Sequence, residues 1–379
     1  MRNFVRIIAI ALVIFIIVFF LMPQYVRTAL IHTYPDIDDI GLFPYNSVEI
    51  GDPQPYDFTA NYNTGKIDSL SRCMIEELDP VSFVVTKNGK LLYEEYWDNY
   101  TDSTNSNIFS ASKSIISLLV GIAIDKGYIT SVDDLASKYI PEWDKNYDPI
   151  TIKDLLTMSS GLSWDESYSS LLSPTTKLYY GDELSNQVLS LEPVRKPGQF
   201  HYYSSATTAI LGIILKNATG MTVSGFASKH LWQKIGAEHE AQWSLDHAGG
   251  IEKSYCCFYS NARDLARIGQ LIINNGYWHG QKVISNNYLN MAFEPAEYLT
   301  DENDHKVDYY GYQWWLLRYK GYNIKYARGL YGQYIITIPD KNLVIVRLGN
   351  EKDDVYVGEH PKDVFLYVDV ALSLDEQTK

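Results

Sequence analysis

A serine and a lysine stand three residues apart at the start of an apolar stretch. Ser110 and Lys113 lie within residues 108–119, which we predict to form a buried helix entered from a polar loop at 101–107. On a helix, two such side chains lie on one face, one turn apart. A buried lysine favours its neutral form, so the pair would place a base beside a hydroxyl nucleophile. The pattern indicates acyl transfer, although a serine cap beside a snorkelling lysine would look the same.

Two further segments could complete such a site, which also needs a proton relay and N–H donors for an oxyanion. Tyr203 directly precedes a predicted apolar helix at 204–216, and a tyrosine hydroxyl beside a lysine ammonium is expected to have a lowered pKa. Gly329 lies in the segment 328–333, where glycine lets the backbone approach a ligand and an edge strand offers free N–H groups. Taken singly, Tyr203 could be one of thirty-one packing tyrosines and the glycine segment an ordinary bulged turn.

The elements that must position these residues are strands near both ends of the chain and helices between them. Periodicity and turn residues predict strands at 81–86, 91–97, 309–317, from 325, 334–338 and 343–348. They predict helices at 67–78, 108–119, 133–139, 152–157, 204–216, 262–274 and 363–372. This order predicts an α+β fold, with one antiparallel sheet built from both chain ends, flanked by helices, and a mainly helical domain inserted.

The N-terminus carries an apolar run from residue 7 to residue 22, preceded by Arg2 and Arg6. Such a run could be a single transmembrane helix or the core of a secretory signal. Because no small-x-small cleavage site precedes Pro23, we favour an uncleaved signal-anchor over residues 1–23, in a single-pass protein of the cell membrane. The basic end would lie inside and the catalytic domain outside the cytoplasm. Residues 24–68 are predicted to form an extended lead, and residues 69–379 the catalytic domain.

Composition limits the partners and cofactors. The 379 residues carry a net charge of −14, which argues against binding to nucleic acid. Neighbouring cysteines seldom bridge to each other, so Cys256 and Cys257, with Cys73, indicate neither a disulfide framework nor a zinc site. The eight histidines include no metal-binding H-E-x-x-H pattern, and we expect neither a metal nor an organic cofactor. Composition leaves the oligomeric state open.

Together, the three segments resemble the serine β-lactamase and penicillin-binding protein family, in its class C-like branch. That branch includes esterases, D-aminopeptidases and aminohexanoate-oligomer hydrolases. The family pattern is S-x-x-K, then Y-x-N, then K-T-G or a variant on a strand that lines the cleft. Here the corresponding residues are Ser110 to Lys113, Tyr203 to Ser205, and the turn at 329–333. The resemblance covers residues 70–372 and implies a β-lactamase/transpeptidase-like fold with serine acyl chemistry.

The resemblance also implies roles for individual residues. Ser110 would be the nucleophile, Lys113 its base, and Tyr203 the group that relays a proton to the leaving group. The oxyanion would lie between the N–H of Ser110 and a main-chain N–H near Leu330 or Tyr331. Other residues that the resemblance places at the substrate are Ser205, Gly329, Arg328, Trp164, Asp165 and Glu166. The last two could equally be solvated loop acids.

Two departures from the family pattern bear on the substrate. Ser205 stands where the family has asparagine, and the third segment lacks the K-T-G lysine unless Arg328 or Lys325 replaces it. That lysine helps to bind substrate carboxylates, so its absence counts against an efficient β-lactamase or carboxypeptidase. The resemblance therefore implies a membrane-anchored serine hydrolase of a small ester, amide or peptide-like substrate. A β-lactamase, a D-amino-acid peptidase and a low-turnover penicillin-binding sensor are the alternatives.

Overall fold

The computed structural model describes residues 2–141, 143, 149–168 and 170–377. Residues 378 and 379, at the end of the predicted catalytic domain, lie outside the described part. The α-helices of this part are α1 Arg2–Leu21, α2 Gln24–His32, α3 Ser69–Glu76, α4 Ser112–Asp125, α5 Ile152–Leu156, α6 Pro174–Tyr180, α7 Leu184–Leu189, α8 Ser205–Thr219, α9 Val223–Ala227, α10 Ala262–Ile273, α11 Asn286–Ala292 and α12 Lys362–Glu376.

The strands form one large sheet and three small ones. The large sheet has the order β3-β2-β12-β11-β10-β9, and a second sheet has the order β1-β5-β6-β4. Two short hairpins, β7-β8 and β13-β14, complete the set. The strands are β1 Tyr45–Val48, β2 Pro80–Lys87, β3 Lys90–Tyr96, β4 Ser106–Asn107, β5 Ala241–Ser244, β6 Phe258–Ser260, β7 Tyr277–Trp278, β8 Gln281–Lys282, β9 Trp315–Tyr319, β10 Tyr322–Gly329, β11 Gln333–Ile338, β12 Leu343–Gly349, β13 Tyr356–Val357 and β14 His360–Pro361.

The large sheet joins the two ends of the folded body. β2 from the first part pairs antiparallel with β12 from the last, with Val84 opposite Val346. Helix α10 packs on this sheet next to β11 and β12, and α12 packs against β12 and β3. Both sheet faces are therefore covered by helices, and the segments between β3 and β9 supply most of the helices. The predicted α+β fold, with an antiparallel sheet from both chain ends, is confirmed.

Two predicted elements are wrong in part. Residues 133–139 form only a short 3-10 turn, Ala136–Lys138, because Leu135 is extended and bridges to Thr151. The strand predicted at 309–317 begins only at Trp315. Gln313 precedes it with a φ of 62° and donates from its side chain to the carbonyl oxygens of helix α5, which breaks the strand.

The lead at 24–68 is not extended throughout, so that prediction is wrong for its first part. Residues Gln24–His32 form helix α2, which buries Val26 and Ala29 against the body. Strand β1 then pairs with β5, with Tyr45 opposite Ser244. The apolar face of α2 is short, with only Val26 and Ala29 buried, so the sequence pattern did not predict a helix there. The helix α1 exposes its whole apolar surface and could be a membrane anchor or a signal sequence.

The prediction that the neighbouring cysteines do not bridge is also wrong. Cys256 and Cys257 are joined by a disulfide, although they are adjacent in sequence. Cys257 has a φ of 63°, so the backbone is turned at this dipeptide. Cys73 is a free, exposed thiol.

Candidate active site

Ser110 lies at a strained turn directly before a buried helix. The 3-10 turn Phe109–Ala111 leads into α4, whose first two residues include Lys113. Phe109 has a φ of 44°, unusual for a bulky residue, and its N–H donates to Oδ1 of Asn107 at 2.9 Å. The turn leaves Ser110 half-buried while α4 buries Lys113. The distance from Lys113 Nζ to Ser110 Oγ is 2.8 Å.

Lys113 is enclosed by polar partners. Besides Ser110, its Nζ lies 3.1 Å from Oγ of Ser205 and 2.9 Å from the carbonyl oxygen of Tyr255. The side chain is 1% exposed. Burial lowers the pKa of Lys113 to about 8, and the charge of Glu166 opposes that shift. A pKa near 8 lets a substantial fraction of Lys113 be neutral in mildly alkaline solution.

Glu166 reaches Ser205 from the loop before α6. Ser205 donates its N–H to Oε2 at 2.8 Å and its hydroxyl to Oε1 at 2.6 Å. Trp164 donates its indole N–H to the same carboxylate at 2.5 Å, and Tyr168 donates its hydroxyl. The structure therefore brings Trp164 and Glu166 into the site. Asp165 is exposed and accepts a hydrogen bond from the N–H of Ser167, so it faces away from this network.

These contacts determine the direction of the protons around Lys113. The single hydroxyl proton of Ser205 goes to Glu166, so its oxygen accepts from Lys113. The carbonyl of Tyr255 can only accept. A neutral Lys113 amine has two N–H groups, which these two acceptors take. Its lone pair is then left for the hydroxyl of Ser110, which is the arrangement of a general base beside a nucleophile.

Tyr203 lies against the same pair. Lys113 Nζ is 5.2 Å from the centre of the Tyr203 ring. Burial and the charge of Glu166 raise the pKa of Tyr203 well above its usual value, while a hydrogen bond with Ser110 opposes the shift. The predicted lowering of this pKa is therefore wrong, because desolvation outweighs the nearby amine. Tyr203 stays protonated at neutral pH and can donate a proton rather than accept one.

The end of β10 closes on the turn that holds Ser110. A Cβ atom at Gly329 would lie 2.1 Å from the carbonyl oxygen of Ile108, so only glycine allows this approach. Tyr331 follows with a φ of 59°, and its ring packs edge-on against Phe109 at 5.7 Å. Leu330, Tyr331, Ser110 and Ser205 line one cavity of about 470 Å³. The structure thus brings the predicted oxyanion segment beside the candidate nucleophile.

The two candidate cations lie elsewhere. The guanidinium of Arg328 stacks 3.3 Å from the centre of the Trp315 ring and donates to the carbonyl oxygen of Glu359 at 2.9 Å. Arg328 lines a second cavity of about 350 Å³ together with Tyr203 and Glu166, not the cavity that contains Ser110. Lys325 packs over the ring of Phe293 at 4.4 Å. Neither lines the cavity of Ser110.

Sequence reasoning missed two parts of the site. The carbonyl of Tyr255, which is 142 positions from Lys113 in the sequence, accepts a hydrogen bond from the amine of that lysine. A main-chain group leaves no signal in the sequence. Helix α2 and the residues after it also line the cavity of Ser110, through Ala29, Leu30, Thr33, Tyr34 and Pro35. Among the described residues, no three histidine, cysteine, aspartate or glutamate side chains are grouped so as to hold a metal ion.

Comparison with known proteins decides the family. The family model described as Beta-lactamase matches residues 73–368. This chain belongs to the beta-lactamase family. It is 26% identical over 323 residues to the 6-aminohexanoate-dimer hydrolase of Paenarthrobacter ureafaciens, which covers 79% of this chain and 80% of the relative. A second relative, protein flp of Staphylococcus aureus strain MW2, is 26% identical and covers 42% of this chain and 34% of its own length.

Solved structures share the fold of this beta-lactamase family member. A putative 6-aminohexanoate-dimer hydrolase from Bacillus anthracis aligns with a TM-score of 0.77 at 20% identity, over 90% of this chain and 93% of that one. A family VIII carboxylesterase aligns with a TM-score of 0.66 at 15% identity, over 84% and 99%. The family and its hydrolase members show that the chain is a serine hydrolase of the β-lactamase fold.

Proposed function

We propose that this serine hydrolase cleaves an ester or amide through an acyl-enzyme on Ser110, with Lys113 as the base. The observation that carries the proposal is the set of contacts of Lys113. Two acceptors, Ser205 Oγ and the Tyr255 carbonyl, take its N–H groups, while its Nζ lies 2.8 Å from Ser110 Oγ. Burial keeps its pKa near 8, so the neutral amine is accessible.

The reaction then proceeds in two halves. Ser110 Oγ forms a bond to the substrate carbonyl carbon and passes its proton to Lys113. The bond from that carbon to the leaving oxygen or nitrogen breaks, and the leaving group takes a proton from Tyr203, which recovers one from Lys113. Water then attacks the acyl carbon, giving up a proton to Lys113. The bond from the acyl carbon to Ser110 Oγ breaks, Lys113 returns the proton to Ser110 Oγ, and a carboxylic acid is released.

The negative charge of the tetrahedral intermediate needs N–H donors in a site shielded from water. We propose the N–H of Ser110 and one from the turn Leu330–Gly332 for this role. The contact of Gly329 with Ile108, and of Tyr331 with Phe109, supports it because these contacts hold the two turns together.

The proposed substrate is an uncharged ester or amide rather than a carboxylate such as a penicillin. The cavity of Ser110 offers a substrate carboxylate neither Arg328 nor Lys325. In the second cavity Arg328 is stacked on Trp315 and bonded to the carbonyl of Glu359, beside the carboxylates of Glu166 and Asp301, so a substrate carboxylate there would meet an already partnered cation and two like charges. A charge-assisted bond to a carboxylate contributes about 1.5–3 kcal/mol, and its loss lowers binding or rate by about one to two orders of magnitude. The relative named for the 6-aminohexanoate dimer supports only cleavage of the amide bond of a linear acid, since that dimer carries a terminal carboxylate of its own.

Turnover of p-nitrophenyl acetate and of a penicillin by the full-length protein tests this proposal. We expect the ester to have the higher kcat/KM and Ser110→Ala to lose several orders of magnitude of ester activity, on the order of other serine nucleophile losses. Ser112→Ala is the matched control, since its hydroxyl contacts a carbonyl of residue 254 and not Lys113. Activity that survives Ser110→Ala would overturn the mechanism, and one equivalent of product without turnover would favour a penicillin-binding sensor.

We also propose that α1 anchors the protein in a membrane with the catalytic domain outside the cytoplasm. Arg2 and Arg6 lie at the N-terminal end of α1, before its apolar run, which supports that orientation.

A further inference from the structure

The cavity that contains Ser110 is built on one side from the N-terminal segment. Ser110, Leu330 and Tyr331 lie on the catalytic side, and α2 with the residues after it lies on another. Helix α2 is held in place by packing against α6, where His32 stacks on Tyr180 at 6.5 Å. The segment nearest the apolar helix α1 is therefore part of the wall of the candidate active site.

The cavity suits an uncharged chain. Among the described residues, none of those that line it is charged. Most are apolar or aromatic, and its volume of about 470 Å³ is in the range of cavities that bury a small ligand, roughly 300–1,000 Å³. The polar groups that line the cavity are the uncharged hydroxyls of tyrosine, serine and threonine side chains.

The rim of this cavity is apolar and exposed. Leu30 and Leu171 line the cavity and are 43% and 38% exposed, and Tyr34 is 61% exposed. Their neighbours Ile31 and Leu172 are 67% and 73% exposed. We call these five residues the apolar rim. An exposed apolar patch that continues into a cavity is a feature of ligand and membrane contact sites.

Three residues of the apolar rim, Leu30, Ile31 and Tyr34, are also close in sequence to the candidate membrane helix. Helix α1 ends at Leu21 and α2 begins at Gln24, so Met22 and Pro23 alone separate them. Helix α1 has 20 residues and is apolar from Ile7 to its end, a length that can cross a bilayer. If α1 enters a membrane, α2 and the rim are held at its surface, within reach of molecules dissolved in it.

The two cavities assign the two parts of the substrate. Tyr203, which would protonate the leaving group, lines the second cavity with Glu166, Arg328 and Asp301. The leaving group therefore lies on that polar side. The acyl group lies on the side of Ser110, Leu330 and the apolar rim.

We propose that the cavity of Ser110 takes the acyl chain of a fatty ester held in the bilayer that α1 enters, with a polar alcohol as the leaving group. This inference rests on the proposed function and on α1 as an anchor. The chemistry is the same: the acyl chain is transferred to Ser110 Oγ, the alcohol leaves with a proton, and water releases the fatty acid.

Chain length tests the cavity directly. The full-length protein in detergent should hydrolyse p-nitrophenyl octanoate with a higher kcat/KM than the acetate, since each methylene that leaves water adds up to about fourfold. The double variant Leu30→Asn/Leu171→Asn should lower the ratio of octanoate to acetate kcat/KM by about tenfold or more, because it removes apolar contact along the chain. The control Ile31→Asn/Leu172→Asn changes adjacent exposed residues that do not line the cavity and should leave that ratio unchanged. Equal kcat/KM for octanoate and acetate in the unaltered protein would overturn the acyl-chain assignment. So would an equal loss of octanoate turnover in both double variants.

The membrane source is tested with vesicles. The full-length protein reconstituted in phosphatidylcholine vesicles should hydrolyse a fluorogenic diacylglycerol in its own bilayer much faster than the same ester in separate, protein-free vesicles. Equal rates in the two cases would show that the substrate is taken from solution. Acetate hydrolysis that depends on Ser110 but shows no gain with chain length removes only this inference. If the unaltered protein hydrolyses no ester at all, both this inference and the proposed function are overturned.

Discussion

At the scale of single residues, the site depends on where the protons of one amine point. The pair Ser110 and Lys113 was predictable because it is local: two residues three positions apart at a helix start must lie together. The acceptors that orient Lys113 were not predictable, since Tyr255 acts through its main chain and Ser205 is fixed as an acceptor by the contact of its hydroxyl proton with Glu166. Glu166 looked like any loop acid until the fold turned it onto Ser205.

The pKa of Lys113 gives the first prediction. The base must be neutral, so kcat/KM for p-nitrophenyl acetate should rise about tenfold per pH unit below the midpoint and level off above a pH near 8. The raised pKa of Tyr203 predicts no decline before strongly alkaline pH. Glu166→Gln removes a charge that raises the pKa of Lys113, so it should move the midpoint to lower pH and reduce the plateau.

Asp165→Asn is the control for this pH profile, because Asp165 is an exposed neighbour whose carboxylate accepts from the N–H of Ser167 in its own loop and not from Ser205. It should leave the midpoint unchanged. A midpoint that stays the same in Glu166→Gln would mean that the carboxylate acts only on the packing of the loop. Such a result would contradict the electrostatic role given to Glu166.

At the scale of elements, β10 and the turn before α4 work as one unit. The strands β10 to β12 and the helices α4, α8 and α10 were predictable from periodicity, because each has a clear apolar pattern and turn residues at its ends. The strained turn at Phe109 and the left-handed Tyr331 were not, because bulky residues are rarely left-handed and no local pattern marks them.

Gly329 tests that unit. Gly329→Ala would place a methyl group 2.1 Å from the carbonyl oxygen of Ile108, so the two turns must move apart. We expect a loss of about 1–3 kcal/mol in the free energy of unfolding, typical of overpacking, and a larger relative loss of ester turnover. Gly41→Ala is the control, since a Cβ there meets no atom within 4 Å. Full activity in Gly329→Ala would show that the close approach has no part in catalysis.

At the scale of the whole molecule, the N-terminal segment is part of the site rather than a spacer. The apolar run of α1 was predictable from its length. The packing of α2 on α6 was not, because its buried residues are few and the contacts are tertiary. The fold class itself was predictable because strands at both chain ends must meet in one sheet.

Cell fractionation tests the anchor. The full-length protein should stay in the membrane fraction after an alkaline or high-salt wash, because α1 is apolar all round from Ile7 to Leu21. Protease added outside intact cells should degrade the catalytic domain. Recovery of a soluble form that begins between Pro23 and Thr33 would show that α1 is a cleaved signal instead.

The central claim is that Ser110 forms a covalent intermediate with Lys113 as its base, and covalent labelling with peptide mapping measures it most directly. The full-length protein should take up one equivalent of a fluorophosphonate, located by mass spectrometry on the peptide that contains Ser110, with a rate that rises up to a pH near 8. Lys113→Met, which fills the same space without a base, should slow that labelling by several orders of magnitude while Ser112→Ala labels normally. Labelling at another residue, or a rate that does not depend on Lys113, would contradict the account.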